Sequence, residues 1–169
     1  MTDYGLLAKQ IISLAEVDAH WLPVLSNAAA LLWDALDDIN WAGFYLVDPA
    51  TVTGAGLSTP EPRTSELRLG PFQGKVACVR IPFGRGVCGT AAATKISQLV
   101  EDVHQFPGHI ACDSASNSEV VVPIFKDDQV VGVLDIDSPN VARFTQEDLA
   151  GLEQVVKALE SCTNFSAFY

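Results

Sequence analysis

Three cysteines, Cys78, Cys88 and Cys112, fall in the middle of this chain, and carboxylates follow them: Glu119 comes seven residues after Cys112, then Asp135 and Asp137. A thiolate is a nucleophile and a carboxyl group carries protons, so the set points to thiol redox chemistry on a small polar substrate. Cys112 has the clearest claim. It lies in Phe106-Pro107-Gly108-His109-Ile110-Ala111-Cys112-Asp113, which is not a periodic apolar segment, so core burial does not explain it. His109 can lower the pKa of Cys112 or orient a partner, although a lone histidine is more often structural. Asp113 opposes a thiolate unless its side chain points away.

Asp135 and Asp137 alternate with Leu134 and Ile136, so on a strand the two carboxylates share one face and the aliphatics the other. Val131 and Val133 fall on the carboxylate face by the same period, which makes it at least partly covered. Covered carboxylates need a cationic partner such as a substrate ammonium, or one of them keeps its proton. A solvated strand face is the plainer alternative. Glu119 heads the neighbouring strand, from which it can converge on them. Trp41 and Tyr45, four apart with Gly43 between, also share a face and read equally as a ligand-facing aromatic wall or as core.

Gly84-Arg85-Gly86-Val87-Cys88-Gly89 matches GxGxxG, but no doubly wound sheet follows, and Glu101 and Asp102 come only 12 and 13 residues after Gly89. A tight turn into a helix is the better reading. Cys88 would then lie near that helix N-terminus, where the dipole favours a thiolate, or be a small buried residue. Cys162, at helical spacing from Val155 and Leu159, reads as structural. No CxxC pair occurs, and the central cysteines are ten and 24 residues apart, so no metal site is expected.

These residues must be positioned by one domain, spanning residues 1–169. The composition is 49% apolar and 18% charged, which is that of a globular chain. A net charge of −11 excludes a phosphate-backbone partner and disfavours anionic membranes. No apolar run reaches the roughly 18–20 residues of a membrane span. The start, Met1-Thr2-Asp3-Tyr4, lacks a signal-peptide pattern, so the expected location is the reducing cytoplasm, where cysteines are seldom structural bridges.

Tyr4, Leu7, Ile11 and Leu14 predict a helix over Tyr4–Val17, and a second pattern runs from Leu22 to Leu36 with Pro23 in its first turn. Trp41–Val47 reads as a strand and 48–64 as a Pro/Gly-rich loop. Strands follow at Glu66–Leu69, Val76–Pro82 and Ser97–Glu101, with a short helix from Gly86 over Ala91–Ala93. Glu119–Phe125 and Gln129–Asp137 form a hairpin. A capping box at Thr145, with Asp148 in place of the usual Glu or Gln, opens the last helix, 145–163. The expected class is α+β: N-terminal helices (1–36), a mainly antiparallel sheet with its loops (41–138), and a closing helix. The terminal helices should cover one face, with loops and short helices over the other.

Several phrases together resemble the free methionine-(R)-sulfoxide reductases, which have a GAF-type fold. They are Asn40-Trp41-Ala42-Gly43-Phe44-Tyr45, Leu69-Gly70-Pro71-Phe72-Gln73-Gly74-Lys75, Gly86-Val87-Cys88-Gly89-Thr90-Ala91, Phe106 to Asp113, Ser118-Glu119 and Val133-Leu134-Asp135-Ile136-Asp137-Ser138. The resemblance implies that Cys112 attacks the sulfoxide sulfur and becomes a sulfenic acid. Cys78 then resolves it to a disulfide, Cys88 takes part in recycling, and thioredoxin with its NADPH system restores the dithiol. It implies no bound cofactor. The sulfoxide oxygen must finally leave as water, which makes Glu119 and Asp137 candidate proton donors. Asp135 and Asp137 can hold the substrate ammonium, Trp41 can pack on the S-methyl group, and Tyr45 lines the same pocket. A homodimer is compatible with the fold. A GAF module that only senses a small ligand such as a cyclic nucleotide, or a thiol switch without turnover, are the competing classes; a switch does not need the pocket carboxylates, and a nucleotide phosphate would be repelled by them.

Overall fold

Alternation along the strands separates two apolar clusters onto opposite faces of one sheet. The computed structural model describes residues 2–47, 65–109 and 114–168; the predicted 48–64 loop and Cys112 lie outside them. Among the described residues, the elements run α1 (Tyr4–Ala15), α2 (Trp21–Ala35), β1 (Trp41–Val47), β2 (Glu66–Gly74) and β3 (Arg80–Pro82). They continue with α3 (Gly86–Thr94), β4 (Gln98–Val100), β5 (Ser118–Lys126), β6 (Gln129–Ser138) and α4 (Gln146–Cys162). Six antiparallel strands lie in the order β3-β2-β1-β6-β5-β4.

On one face, Ala42, Phe44 and Leu46 of β1 and Leu134 and Ile136 of β6 meet Leu25 and Leu32 of α2 and Leu152, Val155 and Leu159 of α4. Helix α1 packs against α2 and α4. The opposite face carries Trp41, Tyr45, Val121 and Val133 under α3, which contributes Val87, Cys88, Ala91 and Ala92. The expected layering of terminal helices and short helix is therefore present.

Local chemistry sets the boundaries. Asp3 caps α1 by accepting from the Leu6 amide at 2.9 Å. The capping box predicted at Thr145 forms with Asp148: each side chain accepts from the other's backbone amide. Asp127 and Asp128 turn the β5–β6 hairpin with φ of 49° and 62°, the left-handed pair that a two-residue hairpin turn requires.

Some expectations need correction. Helix α1 ends at Ala15, which is buried, while Leu14 is exposed. β2 runs on to Gly74 because the whole length of β1 offers it a partner. A register shift opposite Gly43–Tyr45 accommodates the extra residue and lets the strand continue past Pro71. Val76–Pro82 is a strand only over Arg80–Pro82. Val131 does not share the face of Val133: a register shift opposite Ile124–Phe125 turns it to the helix-covered side.

Candidate active site

The β5–β6–β1 register places the predicted residues in rows. Asp137 pairs with Glu119 on one side and Trp41 on the other. In the next row Asp135 lies between Val121 and Gly43, and Gly43 pairs onward with Phe72. Trp41 stacks on Tyr45 at 5.7 Å and on Phe72 at 5.2 Å between ring centroids. Gly43 makes this possible, since a Cβ there would lie 2.3 Å from the Cβ of Phe72. The wall and core readings of Trp41 and Tyr45 both hold: the two are buried and also line the cavity that Glu119, Asp135 and Asp137 enter.

The aromatic residues also hold down the segment that carries Cys78. Trp41 Nε1 donates to the Lys75 carbonyl at 3.2 Å, and the Tyr45 hydroxyl donates to the Cys78 carbonyl at 3.0 Å. Cys78 is disulfide-bonded, whereas Cys88 and Cys162 carry free thiols. Cys112, Asp113 and the rest of 110–113 are not among the described residues.

Cys88 is the third residue of α3 and reaches the cavity from above the sheet. The glycines around it shape the turn and the packing. The Gly84 amide donates to the Gly89 carbonyl at 2.7 Å, and a Cβ on Gly89 would come within 2.3 Å of the Pro82 carbonyl oxygen. Of the two readings of Cys88, burial prevails over the helix dipole. Desolvation, then the charges of Asp135 and Glu119, push its thiol well above the ordinary range, so it is a protonated thiol. Its Sγ donates to Glu119 Oε1 at 3.9 Å.

The carboxyl groups have separated in acidity. Burial, then the charges of Asp135 and Asp137, raise Glu119 well above the carboxylate range. Burial raises Asp135 to about 6, and hydrogen bonding with Cys88 and Glu119 pulls it back from going higher. Glu119 is therefore pushed towards holding its proton while Asp135 is held back nearer ionisation, the division of labour that acid–base sites use. His109 Nε2 stands 3.9 Å from Glu119 Oε2. Burial lowers the pKa of His109 and raises that of Glu119, so the surroundings of both disfavour an ion pair between them.

Sequence reasoning missed Phe72 and Ser116. Phe72 was legible only through the β2 register. Buried Ser116 accepts from Asn40 Nδ2 at 3.1 Å and lines the cavity, but its segment showed no periodicity to reveal it.

The GAF domain family matches residues 24–161. The free methionine-R-sulfoxide reductase of Escherichia coli is 48% identical, over 98% of this chain and 93% of its own length. The reduced form of fRMsr from Staphylococcus aureus is 52% identical with a TM-score of 0.84, covering 97% of each chain. The free methionine-R-sulfoxide reductase of Neisseria meningitidis, in complex with its substrate, is 44% identical with a TM-score of 0.82, covering 94% of this chain and 86% of its own.

Proposed function

The chain belongs to the free methionine-R-sulfoxide reductase family, built on a GAF domain, and on that premise we propose that it reduces free L-methionine-(R)-sulfoxide to methionine. The observation that carries the reading is the cavity itself. Three carboxyl groups and a thiol converge beneath an aromatic wall that is hydrogen-bonded to the backbone of a disulfide-bonded cysteine.

In this mechanism the Cys112 thiolate attacks the sulfoxide sulfur while Glu119 delivers a proton to the sulfoxide oxygen. The oxygen passes to Cys112 as a sulfenic acid and methionine departs, so the substrate sulfur is reduced as the cysteine is oxidised. The Cys78 thiol then attacks the sulfenic sulfur; an S–S bond forms, and hydroxide leaves with a proton as water. A thioredoxin dithiol, reduced at the expense of NADPH, returns both thiols by exchange. Because every electron passes through cysteine sulfur, the reaction needs no resident cofactor.

The state of Cys78, disulfide-bonded while Cys88 and Cys162 are free, supports its role as the resolving thiol. The raised proton affinity of Glu119 supports it as proton donor, and Asp135, with Asp137 beside it, suits the substrate ammonium. Trp41 and Tyr45 bound the S-methyl end. Val76 and Val79, both exposed, flank Cys78 and give thioredoxin an apolar landing surface. Buried, protonated Cys88 is poorly suited to nucleophilic attack and stands as a hydrogen-bond donor to Glu119.

Methionine release from the reduced protein with thioredoxin recycling tests the reading. Free R-sulfoxide should turn over, and the S epimer and the N-acetylated R form should not. No release from any of the three would favour a GAF module that holds a ligand without transforming it.

A further inference from the structure

Cys88, Glu119 and Asp135 come from α3, β5 and β6, and each brings one donor atom to a common point. The thiol sulfur and one oxygen of each carboxyl group all lie within 4.8 Å of one another. Cys88 Sγ and Glu119 Oε1 are 3.9 Å apart, and all three side chains are buried. Independently, Asp135 Oδ1 is a buried acceptor without a hydrogen-bond partner, in a side chain only 6% exposed that lines the cavity. An unsatisfied buried acceptor costs about 1–3 kcal/mol, so the site favours whatever supplies it a positive partner.

The donor set narrows what that partner can be. One sulfur and two oxygens in a small space suit a four-coordinate borderline cation, with the fourth position open to the cavity. Magnesium and calcium seek more ligands, all oxygen. Donors around a tetrahedral ion at zinc–ligand bond lengths lie about 3.3–3.7 Å apart, so side-chain rotations closing the widest gap by roughly 1 Å would complete the site. The spacing of the cysteines gave no sign of this, because the ligands come from three elements distant in sequence.

We propose that in the reduced protein Cys88, Glu119 and Asp135 form a three-donor site for zinc or a similar borderline divalent cation, and that its occupation reversibly closes the cavity to substrate. The second clause rests on the reductase reading, in which Asp135 takes the substrate ammonium. One carboxylate cannot hold both cations, and on binding the metal the Cys88 thiol and Glu119 would release their protons to solvent.

The test is titration of reduced, metal-free protein with cobalt(II), which reports thiolate ligation by a near-ultraviolet charge-transfer band and four-coordination by intense visible bands. One equivalent should saturate both, and zinc should bleach them. Cys88→Ser should abolish the charge-transfer band. Asp135→Asn and Glu119→Gln should weaken cobalt binding about tenfold or more. Cys112→Ser and Cys162→Ser should keep the full spectrum, and thermal melts of every variant establish that each is folded. A band that survives in Cys88→Ser, or that is missing from the wild-type and Cys112→Ser proteins, would overturn the site. Zinc should also raise the apparent KM for free methionine-R-sulfoxide, with activity restored by a chelator. Cobalt binding without any loss of turnover would overturn the blocking clause alone. In a protein with no reductase activity at all, the spectrum would still establish or overturn the metal site.

Discussion

The hydroxyl of Tyr45 donates a 3.0 Å hydrogen bond to the backbone carbonyl of Cys78, tying the aromatic wall of the cavity to the segment that carries this disulfide-bonded cysteine. In the proposed mechanism, substrate recognition and recycling would share this one side chain. Tyr45→Phe removes the donor and leaves the ring in place. We expect it to lower stability by about 1 kcal/mol, seen as a small drop in Tm. It should also slow thioredoxin-driven steady-state turnover more than the single-turnover release of methionine; an equal fall in both would remove the tether from the recycling step.

The proposed roles of Cys112 and Cys78 should separate kinetically. Cys112→Ser should release no methionine at all. Cys78→Ser should release about one methionine per protein in a rapid-quench experiment and then stop in the presence of thioredoxin, because the sulfenic acid has no partner. Sustained recycling by Cys78→Ser would transfer the resolving role to another thiol.

Asp135→Asn should raise KM for the free sulfoxide about tenfold or more, since a charge-assisted contact worth roughly 1.5–3 kcal/mol is lost. The effect on kcat should be smaller. Glu119→Gln should show the reverse split, with kcat falling about 10²–10⁴-fold for loss of a general acid. Identical effects of the two substitutions would mean that the carboxyl groups do not divide the work.

The buried carboxyl groups also fix the sign of the pH dependence of stability. Asp135 rises from 3.8 to about 6 on folding, so between these values the native state holds more protons than the unfolded chain. Stability from this group is thus fully present below about pH 4 and declines as pH rises through 6. Urea unfolding across pH 4–7 should show that decline, on the order of 1–3 kcal/mol, and Asp135→Asn should flatten it. An unchanged slope in the variant would assign the decline to other groups.

Val79 projects beside Cys78 with 66% of its surface exposed. Val79→Glu should raise the KM for thioredoxin several-fold while leaving dithiothreitol-driven turnover unaltered, because a small dithiol needs no landing surface. An unaltered thioredoxin KM would place the docking elsewhere.

Much of this arrangement is legible in the sequence alone. The period-two alternation of Leu134-Asp135-Ile136-Asp137 correctly put the carboxylates opposite the helix-packed core, and Trp41 and Tyr45 together. It failed at Val131, because a bulge changes the face of a residue without leaving any mark in its local sequence. The extent of β2 was hidden for a related reason: the expected strand stopped at Leu69, and nothing in Gly70-Pro71 shows the length of β1 that pairs beside them. At Cys88 the helix dipole favours a thiolate, but burial beside two carboxyl groups decides the other way, and only the packing of α3 over β5 and β6 reveals that burial. The segments 48–64 and 110–113 carry expectations that stand on sequence alone.

The two outer strands of the sheet, β3 and β4, are three residues each, and β3 ends in Pro82, which has no amide to donate. A foreign strand would find few rungs to climb at either margin. Protection against edge-to-edge pairing is thereby built into the perimeter, independent of the chemistry at the centre, and lengthening either margin by design would weaken it.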